Sequence, residues 1–345
     1  MSTRTLLCAM ACVFTAAAQS VSPSYVAAGL RPHGATAGSP HLVQFDYPGA
    51  TQTYVSAINN DGTVIGFYAD AAGGHGYLRL KGGGMQSFDA PGSPDIYPDS
   101  INTGGVIAGN YGDTRQDGFV RTPGGLFTTF TVPGTFPSSS GNPIVINASG
   151  VIAGPYFDTV TAHGFVRFPN GAVDIIDYPG STYTYVTGMN LAGTVTGIYN
   201  DANFVSHGFV AGSGRWFSFD VPGNNFGFFP PVLSINDSGQ VAGTYFQGAN
   251  HGFLWRAGGT LRTFDVSGAA GTQSAGINAS GVVAGSYQDS SYNYHGFVRT
   301  VSGAVYTFSV PNAMWTYVVG INDNGTVAGY YLDSNYGSHG FLLVP

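Results

Sequence analysis

The sequence predicts an all-β chain folded as a seven-bladed β-propeller with four-stranded blades of about 44 residues, and three observations carry that prediction. Three short motifs each recur seven times at that spacing. The residues between them alternate between apolar and polar or small, as pleated strands require. The composition is that of a turn-rich β chain, with 53 glycines, no glutamate and Lys81 as the only lysine, so the charged residues Glu and Lys that helices favour are all but missing.

The first motif is FDYPG at 45–49, echoed by FDAPG, FTVPG, IDYPG, FDVPG, FDVSG and FSVPN. The second is an Ile-Asn pair ending at Asn59, Asn102, Asn147, Asn236, Asn278 and Asn322, with Met189-Asn190 as its variant, followed by G-x-V-x-G or a close relative. The third is His-Gly-aromatic at His75, His163, His207, His251, His295 and His339, with Asp117 in the His place of the remaining copy. Each repeat then reads as four strands. Strand a leads into Ile-Asn, b is G-x-V-x-G-x-Y, c is H-G-F-V and d ends in F-D. Turns such as N-D-S-G and N-D-N-G between a and b suit tight hairpins with positive-φ residues.

The ends of the repetitive region predict closure. It opens on a lone d strand, HLVQFD (41–46), and closes on a lone c strand, HGFLL (339–343). An N-terminal d strand that completes the last blade seals the ring and leaves no sheet edge bare. An open β-solenoid is the alternative, and it has no need of complementary ends.

Residues 1–18 read as a secretory signal peptide, with Arg4 as the basic region, an apolar stretch from Leu6 to Ala18 and small residues for cleavage. Residues 19–40 then form a flexible N-terminal segment and 41–345 the propeller. Cys8 and Cys12 both lie in the leader, so no disulfide or thiolate metal site is expected in the mature chain. A lipoprotein anchored through Cys12 is a weaker alternative. The expected location is secreted or periplasmic, without membrane insertion. A net charge of -7 with no basic run disfavours nucleic acid and anionic lipid. The expected state is a monomer.

The stretch INDSGQVAGTYFQGANHGFLWRAGGTLRTFDVSG (235–268) resembles the HAF-type extracellular repeat of bacterial secreted proteins, in which His-Ala-Phe-Leu-Trp follows Ile-Asn-x-x-Gly-x-Val-x-Gly. Gly252 stands where that family has Ala, and Trp255 is the only Trp at its position. The resemblance covers essentially all of the mature chain. It implies export and repeat architecture, and brings no assigned activity.

Asp70, Asp158, Asp201, Asp289 and Asp333 each precede a motif His by a few residues, a pairing that resembles a general base and its orienting carboxylate. A catalytic pair is needed once, whereas these recur blade after blade, so they read as staples of the b to c connection. The repeated Asp of F-D-x-P-G and the Asn of I-N read likewise as turn or cap hydrogen-bonding groups. Function is sought where the repeat breaks. Of the 18 acids, all Asp, fourteen sit on repeat positions, and Asp95, Asp99, Asp117 and Asp174 do not. Asp95 and Asp99 fall in the d to a loop DIYPD, and Asp113 and Asp117 flank Arg115 in the next b to c loop, on the same face. Together Asp95, Asp99, Asp113 and Asp117 form a candidate Ca²⁺ site or a carboxylate pair for acid/base chemistry, or else a solvated acidic rim. No other cofactor is expected.

A second irregular feature is aromatic. Tyr54, Tyr97, Tyr185 and Tyr317 share one place four residues before the Ile or Met of strand a, with Trp315, Phe226, Phe228 and Phe229 in the same loop class. Tyr54, Tyr97, Tyr185, Phe228, Trp315 and Tyr317 are therefore the candidate ligand-binding set, since flat rings with polar handles suit sugars or peptide side chains. No nucleophile elbow, P-loop or H-E-x-x-H occurs. The leading expectation is a secreted non-enzymatic propeller that binds an extracellular carbohydrate or protein through this loop face. A divalent-metal-dependent lyase or lactonase-like enzyme is the alternative, and a passive cell-surface structural protein the third.

Overall fold

In the computed structural model, which describes residues 40–93, 95–112, 117–134, 144–226 and 233–345, the chain forms seven four-stranded antiparallel sheets. Strands a to d of the first blade are Gln52–Ile58, Val64–Ala69, Gly74–Arg79 and Met85–Phe88, and those of the second are Ile96–Ile101, Ile107–Tyr111, Asp117–Arg121 and Phe127–Thr131. The following blades begin at Val145, Tyr183, Ser234, Gly271 and Trp315. The only helical element among the described residues is the 3-10 turn Pro222–Asn224, and no described helix is long and apolar enough to cross a membrane. The expected leader and N-terminal segment lie outside the described residues.

Closure follows the complementary ends. His41–Phe45 pairs antiparallel with Ser338–Val344, from His41 opposite Val344 to Phe45 opposite Gly340, and so supplies strand d of the seventh blade. The apolar core is divided among the blade interfaces. Of seven buried clusters, six join two adjacent blades and one runs through blades three, four and five; one sets Ile65, Leu78 and Phe88 against Ile101, Ile107 and Phe119, and another closes the ring with Val55 and Val64 on Ala328 and Leu342.

The motif residues turn out to be the joints. The glycine of His-Gly is required because strand d of the same blade lays an aromatic ring over it: a Cβ on Gly76 would come within 2.7 Å of the Phe88 ring. The same holds at Gly252, where Phe264 lies over the glycine and leaves no room for an Ala. At the end of strand c, Arg79 lies 4.8 Å over the Phe45 ring of the neighbouring blade, and Arg121, Arg167 and Arg299 repeat the contact on Phe88, Phe130 and Phe264. Trp255, alone at its position, replaces the guanidinium by stacking on Phe219 at 4.3 Å. Where the position shrinks to Ala211, the partner in the preceding blade is Ile176, and both belong to the same cluster.

The Ile-Asn asparagines do more than cap their own turns. Asn59 accepts the Thr63 amide on Oδ1 at 2.9 Å and donates through Nδ2 to the Asn102 carbonyl of the next blade at 3.0 Å. Asn102 donates to the Asn147 carbonyl at 3.0 Å, Asn147 to that of Leu191 at 3.3 Å, Asn190 to Asn236 at 3.2 Å and Asn236 to Asn278 at 3.1 Å. Asn278 donates to Asn322 at 3.3 Å, and Asn322 returns to the Asn59 carbonyl at 3.0 Å. A directional circuit of buried amides thus runs once around the axis. It closes only because seven blades close. The turn that follows each Asn places Gly62, Gly105 and their counterparts at positive φ, +83° and +75° for these two, which side chains with a Cβ resist.

Candidate functional site

Antiparallel order divides the connections between two faces. The d to a and b to c loops emerge on one, here the loop face, and the a to b and c to d turns on the other, the turn face. The recurrent His lie on the loop face. Each of the six rests on the Tyr of strand b, as His75 does on Tyr68 at 5.1 Å, and bridges two acceptors. His75 Nε2 lies 3.4 Å from Asp70, as the sequence suggested, while its Nδ1 makes the shorter contact, 2.7 Å, with Asp89 of strand d. His163 lies between Asp158 at 3.2 Å and Asp177 at 2.9 Å, His207 between Asp201 at 3.7 Å and Asp220 at 2.6 Å, and His339 between Asp333 at 3.6 Å and Asp46 at 2.8 Å. The F-D aspartates, read as backbone caps, are therefore the principal His partners. The contact with Asp89, ahead of the weaker one with Asp70, outweighs partial burial and holds His75 protonated above the ordinary imidazole range. Burial opposes the same shift at His163, and Asp177 and Asp158 overcome it. Where His295 has no strand-d Asp, Ser309 takes its place at 2.8 Å. These are staples across strands b, c and d, repeated rather than unique.

Blade two breaks the rule in two linked positions. Asp117 replaces the His, and opposite it in strand d stands Thr131 where most blades have Asp. Asp113 lies outside the described residues. Among the described residues no three His or Asp side chains come close enough together to hold a metal ion, so Asp95, Asp99 and Asp117 do not make such a group by themselves. Asp99 is not in a loop. Strand a begins at Ile96, and Asp99 occupies the bulge between Pro98 and Ser100, where its carboxylate accepts Asn110 Nδ2 at 3.1 Å.

The aromatic candidates divide. Phe228 lies outside the described residues, and Tyr185 is fully buried in the cluster that runs through blades three, four and five, with Phe157 of blade three at 6.2 Å and Tyr183 at 6.0 Å. Tyr54, Tyr97, Trp315 and Tyr317 are half-buried in strands a, nearer their loop-face ends, and are joined by rings the sequence had not singled out. Tyr294 meets Tyr317 at 4.7 Å, Tyr317 meets Tyr330 at 5.1 Å, Tyr330 meets Tyr54 at 5.2 Å, Tyr54 stacks on Phe67 at 4.7 Å, and Phe67 reaches Tyr97 at 6.2 Å. Trp315 stands edge-on to Tyr294 at 6.5 Å and to Tyr336 at 6.2 Å. The missed members carried a signal in register: Phe67 and Tyr330 follow the second Gly of strand b, directly across from Tyr54 and Tyr317. Burial, aided by Tyr54 and Tyr294, pushes the Tyr330 phenol up to about 12, so it stays a hydrogen-bond donor.

Three b to c turns on the loop face, in blades four, six and seven, are strained, and of these only that of blade seven touches the track, through Tyr336. Tyr336, Tyr292 and Phe204 occupy the left-handed region at φ 63°, 63° and 62° in equivalent b to c turns, and their rings are 50%, 69% and 76% exposed. A bulky side chain costs roughly 1–2 kcal/mol in that conformation relative to glycine, and an exposed ring returns little packing. At the other end of the axis, the Asn circuit lines a cavity of about 180 Å³ on the turn face, with Ile58, Ile101 and Ile235 and with Asp237 and Asp323 at its margin. The sequence had read its asparagines as scaffold, and their hydrogen bonds bear that out.

With this geometry in view, the chain is similar in fold to solved β-propellers. Virginiamycin B lyase from Staphylococcus aureus, solved as a catalytically inactive variant with quinupristin, superposes with a TM-score of 0.60 at 13% identity over 89% of this chain and 100% of that one. A streptogramin B lyase gives 0.58 at 14% identity over 88% and 98%. The propeller domain of the Trilobed protease from Pyrococcus furiosus gives 0.59 at 10% identity over 85% and 94%; its ring is described as an open velcro, whereas here the N-terminal strand closes the last blade. No family model and no curated protein matches the chain.

Proposed function

We propose that this chain is a non-enzymatic binding propeller, exported from the cytoplasm, that takes a carbohydrate on its loop face. One observation carries the reading: the half-buried ring track from Trp315 through Tyr317, Tyr330, Tyr54 and Phe67 to Tyr97 spans blades seven, one and two and keeps ring surface open to solvent. Pyranose rings offer apolar C–H faces that stack on such rings, while the surrounding phenols donate to sugar hydroxyls. The likeness to streptogramin lyases is one of fold, at 13% and 14% identity, and transfers no chemistry. The basic and apolar leader (Arg4, Leu6 to Ala18) and the resemblance to exported repeats support action outside the cytoplasm. A glycan array probed with the parent and with Trp315→Ala and Tyr54→Ala tests the proposal. Binding of one glycan class, weakened in both variants, supports it; an array without binding, or binding that ignores both variants, overturns it and turns the search to a protein partner.

A further inference from the structure

The two faces of the disc carry opposite charge. Every described arginine and the single lysine lie at the C-terminal end of a strand c, in a c to d turn or at the start of a strand d, and so on the turn face. Among the described acids only Asp61, Asp174, Asp237 and Asp323 accompany them there. All the others ring the loop face, except Asp99, which sits within its strand beside the track. Several keep their charge well into acid: backbone amides hold Asp333, Asp158 and Asp201 below the ordinary carboxylate range, and the net effect at Asp289 is the same despite partial burial. The modest net charge of -7 therefore conceals a loop face whose charged side chains among the described residues are all acids, apart from the six motif histidines stapled to its carboxylates. Such a face attracts cations over about 8 Å at physiological salt and repels polyanions.

A second observation lies at the inner end of the track. Asn110 stands directly across from Tyr97 in blade two and is only 6% exposed. Its Nδ2 is committed to Asp99, and its Oδ1 makes no hydrogen bond. A buried amide oxygen left without a donor is costly. Beside a carboxylate, it asks for a ligand rich in N–H or O–H groups.

Resting on the carbohydrate reading, we infer that the ligand is an oligomer of amino sugars, its pyranose faces on the Trp315 to Tyr97 track and one ammonium on the acceptor pair of Asp99 and Asn110 Oδ1. Neutral sugars satisfy the rings alone, uronate or sulfated chains meet repulsion, and an amino-sugar chain satisfies rings, carboxylates and the orphan oxygen together.

The test is calorimetry at pH 6, where free sugar amines are protonated, with a glucosamine hexamer, its N-acetylated counterpart and an oligogalacturonate. The glucosamine hexamer is expected to bind about tenfold more tightly than the acetylated one, to lose affinity on raising salt from 50 to 500 mM, and to lose about tenfold in Asp99→Asn, the scale of one charge-assisted hydrogen bond. Asp99→Asn is near-isosteric, and its unfolding midpoint, compared with the parent, reports whether the fold is intact; the salt series on the parent tests the charge contribution independently. Equal, salt-insensitive affinity for both hexamers overturns this inference and leaves carbohydrate binding standing. Binding of the oligogalacturonate also overturns it. Failure of all three probes, together with a blank array, overturns both.

Discussion

Removing one amide from the Asn circuit measures how far ring closure contributes to stability. Asn102→Ala deletes two bonds: its donation to the Asn147 carbonyl at 3.0 Å and its acceptance of the Val106 amide at 3.0 Å. The Asn147 carbonyl keeps the Gly150 amide as a partner, so that side loses only the net worth of one bond, about 0.5–1.5 kcal/mol. The Val106 amide has no second acceptor and is partly buried, which adds about 1–2 kcal/mol. The expected destabilisation is about 2–3 kcal/mol, a substantial part of the few to fifteen that hold a domain together. Urea unfolding followed by Trp fluorescence reads it, with Thr103→Ala, exposed in the same turn, as the control. Asn102→Asp sharpens the assay. It keeps the acceptor for Val106 but sets a carboxylate oxygen against the Asn147 carbonyl, so its folded-state pKa rises above the unfolded value. Its penalty is present at neutral pH and relieved as pH falls through that raised pKa, where the protonated acid can donate. An Asn102→Ala protein within about 0.5 kcal/mol of the Thr103→Ala control refutes the reasoning.

Other measurements bear on the remaining joints. Arg121 over Phe88 predicts a coupling of about 0.5–2 kcal/mol in the double-mutant cycle of Arg121→Ala and Phe88→Ile, substitutions that copy the Ala211 and Ile176 pair; zero coupling dismisses the cation–π contact. Gly296→Ala pushes a methyl into the Phe308 ring and is expected to cost about 1–3 kcal/mol, whereas Gly92→Ala, in open space at φ +78°, suffers backbone strain alone; thermal melts separate them. The melting temperature is expected to peak in mild acid. The raised pKa values of His75 and His163 give stability that is full below the unfolded imidazole value of about 6.5 and lost as pH rises through the folded value. The lowered pKa values of Asp70, Asp158, Asp201 and Asp333 give stability that is full above about 3.9 and lost as pH falls through their folded values. A midpoint that rises steadily from pH 5 to 8 contradicts the staple.

The blades, their number and the closing strand were legible because a repeat multiplies every weak local signal by seven, and because a lone d strand at one end and a lone c strand at the other have one economical partner each. The partners of repeated residues were not legible. Asp89 reads as a turn cap beside Pro91 and Gly92, and only the antiparallel c to d register brings it to His75, a strand away. Tyr185 and Tyr54 share a register position, yet one is sealed between blades and the other half open, because the neighbouring blade offers Phe157 in one case and Tyr330 in the other. The interblade direction of the Asn amides was likewise invisible, since in six of the seven bonds both ends are the same motif Asn and in the seventh the acceptor is the residue after it, Leu191.

Blade two shows how a broken repeat is best weighed. With Asp117 in the His place, an aspartate opposite it in strand d would set carboxylate against carboxylate, a repulsion that raises the pKa of one of them and weakens the blade. Thr131 in that strand removes the conflict. The loss of the His thus has a compensating partner within the blade, in the same manner as Trp255 on Phe219 and Ala211 with Ile176 between blades. Asn110 has no such partner. It stands where blades one and seven have Phe67 and Tyr330, as an amide whose Oδ1 stays unsatisfied, although Ser286 at the same position in blade six answers the Val318 amide at 2.8 Å. A substitution that the fold compensates says little about function, whereas one that leaves a buried acceptor open beside an aromatic track and a carboxylate is the one on which the amino-sugar inference rests.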